Sequence, residues 1–249
     1  MPPVTRTLGD VLASSDQAPA LLRVWLHDEP ALREHLHSGD RPLYTADRDV
    51  VPAREVRGVD GVMRTWRLDR VEYAGSDLPS GELNRSVGHW NPSDQWELFH
   101  VEKGEVIIVI RPVGGPVRLV RGAEGDLVAV EPGGWHLTYV LAGPAVVANI
   151  YSVPAEPPTE KYFSTPPLRV GLRREGDQVI PYGDDVEVET LRWAEGTARE
   201  RVLGELPDLE ALFPGEAPEL FLDPAGSFSA ILPGDGNDGP QREDDRVGG

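Results

Sequence analysis

Between Gly88 and Tyr151 short apolar runs alternate with turn sequences, and this stretch constrains the fold more than any other part of the chain. It opens with G-H-W-N-P-S-D-Q-W-E-L-F-H-V-E-K-G-E, and G-D-L-V-A-V-E-P-G-G-W-H-L-T-Y-V follows farther on. Successive side chains of a strand alternate faces, so residues two apart share one. His89 and Asn91 therefore point the same way. Pro92, Ser93 and Asp94 interrupt the ladder, because proline has no N–H to donate and short polar side chains favour turns. A new strand begins near Gln95, with Glu97, Phe99 and Val101 on one face and Trp96, Leu98 and His100 on the other. A carboxylate in such apolar company is costly unless it is paired or metal-bound. The E-P-G-G turn then delivers Trp135 to Val140 as a further strand. His89, Glu97 and His136 are thus two imidazoles and a carboxylate from three strands, a set suited to one first-row divalent ion.

The same run resembles the cupins. Their first motif carries His-x-His, then a Glu followed by six residues and a Gly; here Glu97 is followed by six residues and Gly104. Their second motif carries Gly, Pro, Gly and a ligand His, matched by Gly125, Pro132, Gly134 and His136. The long gap between His89 and Glu97 is similar to that of the cupin-type glucose-6-phosphate isomerases of archaea and some bacteria. The similarity spans about Arg48 to Tyr182, where L-R-V-G-L-R-R-E-G-D-Q-V-I-P resembles the strand pair that closes that fold. It implies a mainly β jelly-roll barrel and a metal held by His89, Glu97 and His136. Three positions depart from the pattern. Asn91 stands at the second histidine of the first motif, Phe99 replaces a Tyr two residues after the Glu, and Val87 replaces a Lys before the G-H pair.

These readings give a candidate site. The metal ligands are His89, Glu97 and His136; Glu97, Tyr139 and Tyr151 are candidates for catalysis. Arg85, Ser86, Asn91, Phe99, Trp135, Thr138 and Asn149 are candidates for substrate contact. An amide is a weak transition-metal ligand, so Asn91 coordinates, orients a water or only meets substrate. If it does not coordinate strongly, two histidines and one carboxylate leave open positions, as in non-haem Fe(II) oxygenases. Iron is therefore the favoured ion, with Mn, Ni or Zn as alternatives. The resemblance instead implies an aldose-ketose isomerase, in which a metal polarises substrate oxygens while a base moves a proton. A binding cupin without turnover is the third reading.

Composition narrows the partners. A formal charge of −18 disfavours nucleic acid, which requires Lys and Arg against phosphate, so a small-molecule substrate is expected. The chain has no cysteine, so nitrogen and oxygen must hold any metal. No apolar run reaches membrane-span length and the N-terminus lacks signal-peptide character, giving a cytoplasmic expectation.

Along the chain, residues 1–47 read as a helical extension, with Thr5 or Thr7 capping a helix through Leu12, an apolar helical segment at Ala18 to Leu26, and Asp28-Glu29-Pro30 starting another that stops at Ser38-Gly39. His27, His35 and His37 read as polar-face histidines of surface helices. Residues 40 to 60 look irregular. Residues 48–195 hold the barrel and flanking strands: Val62 to Tyr73, Leu83 to His89, Val106 to Ile110, Val117 to Arg121, Leu127 to Val130, Trp135 to Leu141, Ala145 to Tyr151, Leu168 to Arg173, Gln178 to Pro181 and Val186 to Trp193. Thr197 to Leu203 and Asp208 to Phe213 read as helices within 196–232, and 233–249 as a disordered tail. The helices and the segment near Pro157 are expected to cover the barrel sheet, across a two-fold homodimer.

Overall fold

The structure is a computed structural model that describes residues 2–18, 24–57, 63–154, 166–176, 178–183, 192–193 and 230–231. Two long strands organise it. β6 (Glu97–Arg111) and β9 (Trp135–Ser152) pair antiparallel from end to end, with the register slipping between Val101 and Val106. The slip divides each strand into halves that belong to different layers. In the first layer, the early half of β6 lies between β8 (Leu127–Val130) and the late half of β9. That layer continues through β4 (Met63–Tyr73) and β2 (Pro42–Asp47) to β1 (Val4–Thr7). In the second, the late half of β6 lies between β7 (Arg118–Ala123) and the early half of β9, beyond which comes β5 (His89–Trp90). Gly104 sits in the slip at φ +80, where an added Cβ would lie 2.8 Å from the Pro144 carbonyl oxygen, so the close approach of the two strands requires glycine.

Alternation along the strands builds the interior. Val71, Phe99, Val101, Val128, Val130 and Val147 of the first layer meet Val106, Ile108, Ile110, Val120 and Val140 of the second in one buried cluster. Each such side chain contributes roughly 1.5–3 kcal/mol by leaving water. The opposite face of the second layer carries Ile107, Val109, Trp135, Leu137, Tyr139 and Leu141, packed against Leu168, Val170 and Leu172. The hairpin of β10 (Gly171–Glu175) and β11 (Gln178–Tyr182) extends that cover, as the sequence predicts for a strand pair about an E-G-D turn. The fold is a mainly antiparallel jelly roll.

The N-terminal helices are α1 (Leu8–Gln17) and α2 (Glu29–Leu36). Thr7 caps α1 in a capping box with Asp10, and Asp28 caps α2 by accepting from the Ala31 N–H at 3.2 Å. Their apolar faces, Leu8, Val11, Leu12 and Leu32, join the main buried cluster.

Several elements differ from expectation. The stretch read as irregular contains β2 and β3 (Arg54–Arg57), which pair with β4, and β1 lies inside the region read as helical. Cross-strand pairing outweighs the turn character of Pro42 and Pro52 there; Pro42 sits at the first position of β2, where proline is tolerated. Ala18 is extended, so α1 ends where a second helix was expected to start, and Val24 to Leu26 are not helical. Leu83 to Gly88 runs beside β9 with only an irregular ladder, a bridge from Arg85 to Tyr139 and single bonds such as Ser86 N–H to Thr138 O. Of the strand expected at Val186 to Trp193, β12 (Arg192–Trp193) pairs with β7; the rest lies outside the described residues, as do the helices expected at 197–203 and 208–213, the tail, and most of the segment around Pro157. β13 (Ala230–Ile231) pairs parallel with β8. Among the described residues no helix is long and apolar enough to cross a membrane.

Candidate metal centre

Three strand positions converge inside the roll. His89 pairs with His136 across the β5–β9 ladder, so their side chains leave the sheet on one face, and the rings meet edge to face at 4.3 Å. Gly88, at φ +69, makes the turn into β5; a Cβ there would lie 2.8 Å from the Trp135 ring and 3.0 Å from the His136 carbonyl oxygen. Glu97 comes from the other layer, at the start of β6, opposite Tyr151 on one side and Val130 on the other. Its Oε2 lies 3.4 Å from His136 Nε2 and 4.0 Å from His89 Nε2, and one ligand atom of each residue lies within 4.8 Å of the other two.

These residues fit a metal ion. Both measured separations are shorter than two metal–ligand bonds of about 2.1 Å laid end to end, so a single ion can bridge them. His89 lines the adjoining cavity, with 47% of its side chain exposed. Glu97 Oε2 is buried with no hydrogen-bond partner among the described residues, the orphaned oxygen a cation would satisfy. The electrostatics agree. Burial, reinforced by Asp69 and opposed by Arg48 and the nearby amides of Asn91 and Asn149, pushes the Glu97 carboxyl up to about 8. Burial, with His89 adding to it, holds His136 well below the usual imidazole range. Burial and then Arg48 lower His89 in the same direction. The histidines are thus neutral and ready to coordinate, while the carboxyl gains from a cation that replaces its proton.

A cavity of about 330 Å³ opens onto the three ligands. Of the residues expected to meet substrate or act in catalysis, Ser86, Phe99, Thr138, Asn149 and Tyr151 line it. Asn149 Nδ2 donates to Glu97 Oε1 at 3.3 Å, and the Phe99 ring lies 5.1 Å from that of His136. Asn91 is 3% exposed, and neither of its amide atoms has a hydrogen-bond partner among the described residues. Arg85, Trp135 and Tyr139 are placed elsewhere. Trp135 and Tyr139 lie one and three residues from His136, so period-two alternation turns them to the far face of the second layer. There Tyr139 accepts from Arg85 Nη1 at 3.0 Å and donates to Glu82 Oε1 at 2.8 Å, while Arg85 also donates to Glu82 at 2.9 Å and to the Trp25 carbonyl at 3.0 Å. These three side chains hold the outer cover and do not reach the cavity.

Residues not foreseen also line the cavity: Tyr44, Arg48, Asp69, Tyr73 and Gln95 among them. Asp69 is fully buried, forms an ion pair with Arg48 and accepts from the Asp49 N–H at 2.9 Å. It shares its strand face with Val71 and Tyr73, so the alternation that singles out Glu97 also singles out Asp69. Arg48 follows β2, inside the stretch read as irregular, and carried no signal of its own. Tyr73 is held above the usual phenol range, chiefly by burial. Burial, with Asp69 and Asp49, pushes Tyr151 up to about 12. Both phenols therefore stay protonated and act as donors at neutral pH.

No family model and no curated protein matches this chain. Solved structures do. An oxalate oxidase structure is 16% identical, covering 34% of this chain and 41% of its own, with a TM-score of 0.29. KdgF from Halomonas sp. is 13% identical, covering 53% and 87% at a TM-score of 0.30. The Cnp3 cupin domain of Schizosaccharomyces pombe is 8% identical, covering 46% and 77% at 0.31. The chain spans less than half the length of the oxalate oxidase that it matches. At these scores the likeness bears on neither the metal nor the reaction.

Proposed function

We propose that this chain is a mononuclear metal-dependent enzyme that acts on a small polar molecule held in the cavity, with the chemistry of a non-haem Fe(II) oxygenase. The donor set carries the reading: two neutral imidazoles and one buried carboxylate, with an amide, Asn91, where a third histidine would complete a four-ligand site. His89, Glu97 and His136 would hold the ion, and iron at such a site supplies redox chemistry toward dioxygen together with Lewis acidity. The other residues have roles of their own. Phe99 and Val71 keep the inner wall dry, and Tyr73 and Tyr151 present protonated hydroxyls. Ser86, Thr138, Asn149 and Gln95 offer hydrogen bonds that orient a hydroxylated ligand.

The alternative is an aldose-ketose isomerase of the glucose-6-phosphate type. A phosphate dianion needs several donors or cations, and Arg85 is committed to Glu82 and Tyr139 on the far side of the sheet. That placement favours the oxygenase. The test is oxygen uptake by Fe(II)-loaded protein across a panel of small hydroxy and keto acids, beside anaerobic assays on fructose 6-phosphate with Fe(II), Mn(II) and Zn(II). Substrate-dependent oxygen consumption is expected; isomerisation at an enzymatic rate without oxygen overturns the reading.

A further inference from the structure

The cavity has a second charged end. Asp69 is fully buried, and an ionised carboxylate in that position is stable only if it is paired. Its Oδ2 pairs with Arg48 Nη1 and its Oδ1 receives the Asp49 N–H. Asp49 adopts φ +52, an uncommon backbone conformation for a residue with a side chain, and this turn presents its N–H to Asp69 directly after Arg48. The guanidinium is thus fixed at one edge while 47% of the Arg48 side chain stays exposed at the cavity. Arg48 bears on both Glu97 and His89 electrostatically, so its charge acts across the same space as the ligand triad.

Among the described residues lining the cavity, Arg48 is the one arginine and there is no lysine. With a divalent ion bound, the ion and Arg48 together exceed Glu97 and Asp69 by one positive charge. That balance suits a monoanion. A planar carboxylate matches the fork of a guanidinium, whereas a phosphate dianion would call for a second cation or a cluster of N–H donors. The remaining lining groups, Tyr44, Gln95, Ser86 and Asn149, suit hydroxyl groups between the two ends. Asn149 Oδ1 is buried with no hydrogen-bond partner among the described residues, an acceptor for one of them.

We propose that Arg48, held by Asp69, is a carboxylate-recognition subsite facing the metal ligands, and that the cavity takes small hydroxylated carboxylic acids, with the carboxylate at Arg48 and an oxygen toward His89, Glu97 and His136. The assignment rests on the metal-centre reading for the second contact but not for the first. The Arg48 contact is therefore measurable with and without metal.

The test is calorimetric titration of full-length protein, Zn(II)-loaded and metal-free, with the monoanions lactate and glycerate, the neutral isostere lactamide and inorganic phosphate. Lactate and glycerate bind, and lactamide binds about tenfold or more weakly than lactate. Arg48→Met removes this preference in both metal states while the Zn(II) stoichiometry stays the same; Arg48→Lys restores part of it, since a lysine keeps the charge without the fork. Asp69→Asn lowers the acid-over-amide preference through looser placement of Arg48, a change read as altered affinity at unchanged metal content. An equal affinity for lactate and lactamide, undiminished lactate binding in Arg48→Met, no binding of either acid at millimolar concentration, or tighter Arg48-dependent binding of phosphate each overturns the assignment. If Zn(II) does not bind but the metal-free preference and its loss in Arg48→Met persist, the metal reading fails and the carboxylate subsite stands.

Discussion

His136 Nε2 lies 3.4 Å from Glu97 Oε2, although His136 belongs to the half of β9 in one layer and Glu97 to the half of β6 in the other. Both strands change layer at the slip near Gly104, so the interior is the place where their two polar side chains meet. The contact is a consequence of the fold's closure, and among the described residues Glu97 Oε2 and His136 Nδ1 have no hydrogen-bond partner.

That burial makes the metal-free protein pH-sensitive. Glu97 titrates at about 8 in the fold against an ordinary value of 4.5, so its contribution to stability is fully present below 4.5 and is lost as pH rises through 8. His89 and His136 are shifted downward from 6.5; their contribution is present above that value and lost as pH falls. Between pH 6.5 and 8, Glu97 is therefore the member of the triad that changes its contribution. Urea unfolding of the chelated protein should show a stability loss on the order of 2 kcal/mol across that window, at about 1.4 kcal/mol per pH unit. Glu97→Gln should flatten the slope. A wild-type stability that does not fall there contradicts the burial of an uncompensated carboxyl.

Tyr139 is a structural residue, and its loss should show as such. Tyr139→Phe removes a buried donor to Glu82 and an acceptor for Arg85, so equilibrium unfolding should register a loss of about 1–3 kcal/mol. Metal stoichiometry should not change. A variant as stable as the wild type but unable to turn over substrate would return Tyr139 to the catalytic group.

In the proposed centre, Asn91 would set how many coordination positions stay open. Asn91→His should keep one equivalent of metal and suppress substrate-dependent oxygen consumption by about tenfold or more, because a fourth strong ligand removes a position needed by substrate and dioxygen together. Oxygen-electrode rates and metal analysis on the same samples check this. Isomerase activity retained or improved by the histidine is the opposite outcome.

The sequence carried most of the layer structure because alternation survives in a one-dimensional pattern. Glu97 among Phe99 and Val101, and His136 two residues from Thr138, place their own side chains. The same rule, applied to Trp135 and Tyr139, would have set them on the other face; their aromatic character pointed to the pocket and the parity did not. Asp69 was equally open to the parity argument. Arg48 was not, since its place follows from the Asp49 turn and the pairing of β2 with β4, both long-range outcomes. The expected separate strands join into β6 and β9, and Gly104 and Gly143, both at positive φ, lie near the slip where the strands cross between layers.

The most direct measurement is metal content after purification without chelators and reconstitution with Fe(II), Mn(II) or Zn(II), on the wild type and on His136→Ala. The account predicts one equivalent per chain in the wild type and a loss of stoichiometric binding in the variant, with the strand-rich circular dichroism spectrum unchanged. One equivalent retained by folded His136→Ala, or none in the wild type, would contradict the centre formed by His89, Glu97 and His136.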